Sequence, residues 1–157
     1  MHPSLQPLML ALEVAERDRD QAQSTVLRLR HQMEAAQSQA RQLEDYRRDY
    51  QQRWGERFQT QGSVQIMHCY HGFMSRLDQA GTPQHGAVQL IQHHLDQAVQ
   101  VLREREMRAA SIRKLIERRQ NEIDKARSRQ EQKLTDEQAS RIAWARRAAG
   151  SNDLAIA

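Results

Sequence analysis

The chain has 157 residues, of which 38% are hydrophobic and 28% charged, with only 6 Gly and 3 Pro. That balance, with a mean hydropathy of −0.90, is too polar for a packed α/β core. The abundance of Ala, Glu, Arg, Gln and Leu points instead to long helices burying a narrow seam. The net charge of +4 is unevenly placed. Residues 1–78 carry ten basic and ten acidic side chains, whereas residues 103–147 carry fourteen basic against eight acidic. An acidic partner is therefore expected near the C-terminal end.

The single cysteine, Cys69, excludes an intrachain disulfide framework and fits a reducing compartment. No apolar run approaches the ~20 residues of a membrane span. The first residues hold an apolar patch, Leu8 to Leu12, but no basic leader and no small-residue cleavage site. A cytoplasmic protein is expected.

From the start, a heptad with Leu12 at position a places Leu5, Leu8, Leu12, Ala15, Arg19, Ala22 and Val26 on the seam, and continues to Tyr50 and Trp54. Thirteen of the fifteen a/d positions are apolar, a match sustained over about seven heptads. Pro3 and Pro7, with Ser4 as cap, fit a helix start. The expected first long helix covers residues 4–55. Gly55 and Gly62-Ser63 punctuate its end.

A short helix follows, from about Val64 to Ala80, in a region of turns spanning 56–86. Gly81 reads as its terminator, Thr82 as the next cap and Pro83 as the next first position. A second long helix is expected over 87–149. From Val88 to Ala126, ten of its twelve a/d positions are apolar, the exceptions being Arg105 and Arg119. Gln130 and Lys133 weaken the seam, and Leu134, Ala139, Ile142, Ala143 and Trp144 resume it in a shifted phase. Thr135 to Gln138 reads as a capping box beside a break near Leu134. Gly150-Ser151-Asn152 reads as the stop before a flexible tail over 150–157.

Each seam must be buried, and the nearest partner is the other segment folded back. The fold expected is all-α: a single domain, monomeric when free, built as a long antiparallel two-helix coiled-coil hairpin with a short intervening helix. The alternative is a parallel homodimeric rod, which the interruptions at Gly55, Gly62 and Gly81-Pro83 disfavour.

Six of the seven aromatics fall between Leu43 and Leu77: Tyr46, Tyr50, Trp54, Phe58, Tyr70 and Phe73. The first four recur every fourth residue and share one side of a helix. They are either a local plug of core or a patch for a partner, since Tyr and Trp are enriched at protein binding hot spots.

Little else carries chemistry. His68 and His71 flank Cys69 at a spacing that can hold a metal, but His85, His93 and His94 lie at no ligand-like spacing to them. No phosphate-binding loop is present. The expectation is no catalytic residue, no cofactor, no metal and no small-molecule substrate. The basic stretch from Arg103 to Arg129 is laced with Glu104, Glu106, Glu117, Glu122 and Asp124. That reads as a salt-bridged solvated face rather than a nucleic-acid-binding region.

Leu43-x-x-Tyr46-x-x-x-Tyr50, then Tyr70-x-x-Phe73-x-x-x-Leu77-x-x-Ala80, then Gln132-Lys133-x-x-Asp136-Glu137-x-Ala139-x-Arg141 together resemble the flagellar export protein FliJ family. The resemblance implies an antiparallel coiled coil similar to the central stalk of rotary ATPases. It implies a non-enzymatic role in flagellar type III protein export, and so in motility, at the inner membrane of the flagellar base. The implied partners are the hexameric export ATPase, the transmembrane export gate protein and export chaperones. Carried over by position, the gate-facing patch is Gln39, Leu43, Tyr46, Tyr50, Phe73, Leu77 and Ala80, with the next family position at or beside Gln84. The ATPase-facing end combines Leu5, Leu8 and Leu12 with Lys133, Asp136, Glu137, Arg141, Arg146 and Arg147. The competing readings are an injectisome stalk, a general coiled-coil adaptor, a homodimeric scaffold and a basic nucleic-acid binder.

Overall fold

The computed structural model describes residues 2–60 and 62–156. A 3₁₀ turn, Pro3–Leu5, leads into α1, Gln6–Thr60, and α2 runs Val64–Ile156. No strand occurs among the described residues. His2 rather than Ser4 caps the opening turn: its Nδ1 accepts the Ser4 N–H at 3.3 Å. Ser63 caps α2, its Oγ accepting the Ile66 N–H at 3.3 Å, which satisfies one of the four N–H groups a helix start leaves unpaired.

The two helices pack against each other as an all-α hairpin, but the expected short intervening helix is absent. Residues 64–80 and 87–149 belong to one helix, α2. Gly55 does not end α1, and α2 runs on through Gly150. Of the expected flexible tail, residues 150–156 are helical, and Ala157 lies outside the described residues. Thr135 opens no new helix either; its Oγ1 donates to the Glu131 carbonyl at 2.9 Å, inside an unbroken turn. Thr82 behaves the same way, donating to the Asp78 carbonyl at 3.0 Å.

The heptad phase accounts for the unbroken α2. Every seventh residue from Tyr70 to Ile112 is shielded, and so is every seventh from Met74 to Ile123. Gly81 and Gln84 fall on those two series, so the seam passes Pro83 in register. A proline in a helix interior loses one backbone hydrogen bond and crowds the preceding turn, at about 3 kcal/mol. The seam on either side holds the helix against that local preference.

The chain groups into two compact units. One is Ala15–Arg108. Here α1 supplies Ala15, Ala22, Val26, Met33 and Ala36 as buried residues and α2 supplies Met74. The cross-helix pairs are antiparallel: Trp54 beside Tyr70, Arg47 beside Asp78, Ala36 beside Gln84, Asp18 beside Arg105. As one number falls, the other rises. Polar seam residues are satisfied rather than bare. Arg105 donates to the Asp18 carbonyl at 3.0 Å, and Arg47 pairs with Asp78 at 3.1 Å.

The other unit joins Met1–Val14 with Ala109–Ala157 and so gathers both ends of the chain. Leu5 and Ala109 are buried in it. Leu8, Leu12, Ile112, Ile116 and Ile123 are half-buried. From Asp124 to Ala155 every residue is exposed. The seam therefore does not resume at Leu134, as the apolar spacing suggests: Leu134, Ile142 and Trp144 are 58%, 56% and 75% exposed.

Candidate functional site

Within Ala15–Arg108, the aromatic residues form a ladder across the two helices. Tyr50 stacks on Phe73 with ring centroids 3.9 Å apart. Trp54 lies 5.9 Å from Tyr50, from Phe58 and from Tyr70. Phe58 meets Tyr70 edge-on at 5.7 Å. These five rings are half-buried and close the hairpin next to its turn; offset and edge-on pairs of this kind add to the gain from burial itself. Tyr46 caps the ladder, parallel to Tyr50 at 6.4 Å, but it is 58% exposed. The choice between core and partner surface is thus divided along the stripe. Five rings pack half-buried against one another, and Tyr46 is surface.

Tyr46 also forms one wall of a groove of about 470 Å³, lined by Gln39, Gln42, Leu43, Tyr46, Leu77 and Gln84. Its lining is three apolar side chains and three amides, with no charge. Leu43 and Leu77 come from facing helices and sit half-buried at its floor. Gln84 donates from Nε2 to the Ala36 carbonyl at 3.0 Å and to Gln39 Oε1 at 3.1 Å. Leu43, Leu77 and Gln84 also border a smaller groove of about 230 Å³, whose other walls include Glu44, Arg47, Asp78 and His85. This second groove exists because the seam carries Ala40 and Gly81 there, and nothing lies within 4 Å of where a Gly81 Cβ would stand.

Four of the seven residues expected to form a patch, Gln39, Leu43, Tyr46 and Leu77, therefore line one groove. Tyr50 and Phe73 stack on each other in the ladder behind Tyr46, and Ala80 is exposed on α2 without lining the groove. The model of the flagellar FliJ protein family matches residues 1–148. The chain belongs to the flagellar FliJ family. It is a component of flagellar protein export. No curated protein and no solved structure matches the chain.

In this FliJ-family chain, Lys133, Asp136, Glu137, Arg141, Arg146 and Arg147 all lie in the bare stretch of α2 and are exposed. Leu5, Leu8 and Leu12 differ from them. Leu5 is 3% exposed and the other two are half-buried. Cys69 is exposed. The His71 ring rests edge-on against Tyr70, 5.6 Å away. Among the described residues no group of three or more His, Cys, Asp or Glu is arranged to hold a metal. No helix among them is long and apolar enough to cross a membrane.

Two groove and core residues escape a motif-based reading, Gln42 and Met74, whereas Gln84 stands at or beside the next family position. Met74, 8% exposed, and Gln84 both follow from carrying the second helix's heptad backwards through Pro83. Gln42 has no such signal; it lines the groove by adjacency to Leu43.

Proposed function

We propose that this chain is a stalk-like, non-enzymatic linker of the export apparatus, with two separate contact regions. The uncharged groove between Gln39 and Leu77 takes an apolar side chain of the transmembrane export gate protein. The bare C-terminal stretch of α2, carrying Lys133, Asp136, Glu137, Arg141, Arg146 and Arg147, enters the ring of the hexameric export ATPase and promotes its assembly and turnover. Leu5, Leu8 and Leu12 anchor that end. Export chaperones are handled on the same body, at the flagellar base beside the inner membrane. The chain works mechanically. A single stalk in a sixfold ring breaks the ring's symmetry and biases successive sites through differential contacts.

The observation that carries this reading is the convergence of Gln39, Leu43 and Tyr46 with Leu77, from two stretches over thirty residues apart, on one groove. Tyr46 is the decisive residue because it is exposed and Tyr50 is its ring neighbour in the ladder. Tyr46→Ala is expected to weaken binding of the purified cytosolic domain of the cognate gate protein about tenfold or more, with the helical content unchanged. Because no charge lines the groove, that binding should change little between 50 and 300 mM salt. Undiminished binding by Tyr46→Ala would reject the groove as the gate site.

A further inference from the structure

We propose that Gln84 is a positioning residue: its amide clamps α2 to α1 immediately after Pro83, and the groove beside Tyr46 depends on that clamp. The binding half of this proposal rests on the docking reading above, whereas the structural half does not.

Pro83 is the residue least suited to its place, having no N–H to give and a ring that crowds the turn before it. Its neighbours offer little local help, since Gly81 and Gly86 lie on either side and glycine weakens a helix interior by up to about 1 kcal/mol. Local sequence alone would break the helix here. Directly after Pro83, Gln84 reaches across the seam, part-buried, and donates both amide hydrogens to α1. One goes to the Ala36 carbonyl at 3.0 Å and one to Gln39 Oε1 at 3.1 Å. A carbonyl only accepts, so the nitrogen must be the atom that faces Ala36. This is the cross-helix hydrogen bond nearest the weak point, and it ties two groove residues, Gln39 and Gln84, to each other. Holding the oxygen of Gln39 fixes the orientation of its amide.

If the clamp offsets the proline, the two positions must be coupled. Hydrogen exchange on the full-length chain tests this without any partner. Gln84→Ala is expected to lower amide protection over residues 78–90 about tenfold, the size of one or two net hydrogen bonds. Gln84→Glu keeps the length but sets a carboxylate oxygen against the Ala36 carbonyl, which can only accept, and should lose at least as much. Pro83→Ala combined with Gln84→Ala should restore protection to the level of the unaltered chain, because the helix no longer needs the clamp. Unchanged protection in Gln84→Ala, or no recovery in the double variant, would overturn the proposal. The gate domain then reports on the groove: Gln84→Ala should weaken its binding, and the double variant should recover part of it. Should the unaltered chain not bind the gate domain at all, the docking reading fails, and the exchange data still decide the clamp.

Discussion

The two helical arms of residues 15–108 and the helix over residues 124–155 are both rich in Arg, Glu, Gln and Ala, and both carry apolar residues at helical spacing. In the first region those residues meet a partner helix. Met33 and Ala36 are each 6% exposed, and Tyr50 lies flat on Phe73 at 3.9 Å. In the second they meet nothing: Trp144 is 75% exposed and Leu154 82%. At 1.5 Å per residue, the bare stretch is roughly 48 Å of helix with no packed face. Isolated helices in water are marginal even with good propensity. The comparison teaches that one region is shaped by its own seam, whereas the other leaves its apolar and basic groups exposed along the whole stretch.

The contrast can be broken most directly at the rings. Tyr50→Ala removes the ring that joins Tyr46, Trp54 and Phe73, and should destabilise the hairpin by about 2–3 kcal/mol, below the value for a fully buried aromatic. Tyr46→Ala should stay within about 1 kcal/mol. Denaturant melts of the two variants check this, and equal losses would mean that Tyr46 belongs to the core as well. Next in size, Ala36→Leu forces a large side chain into a position that is 6% exposed, at about 1–3 kcal/mol. Smallest of all, Trp144→Ala should leave stability within about 0.5 kcal/mol despite deleting the largest side-chain type. A loss of several kcal/mol there would show that the end of α2 is covered after all.

Much of the hairpin was legible in the sequence, because a heptad leaves a period that survives without knowledge of the fold. Leu5 to Trp54 are all shielded where the period places them. The misreadings share one cause. Gly81, Thr82 and Pro83 spell a helix boundary by local chemistry, and a seam made with residues some forty positions away overrode it. Leu134 to Trp144 erred in the opposite direction, where apolar spacing suggested a seam and no partner helix reaches it. Periodicity records that a face needs covering; it does not record by what. The groove was half legible, since Leu43, Tyr46 and Leu77 stand in recognisable spacing. Gln84 was named only as a position in the patch; its hydrogen bond stayed hidden because it depends on the Ala36 carbonyl, a backbone atom no motif can name.

The central claim is that the bare end acts on the export ATPase while the hairpin body stays intact. The most direct measurement is the turnover rate of the cognate export ATPase, with ring size followed in parallel, in the presence of the full chain and of a chain truncated after Gln132. The account predicts stimulation and hexamer formation with the full chain, loss of both with the truncated one, and the same melting behaviour for the two. Full stimulation by the truncated chain, or none by the full chain at saturation, would contradict it.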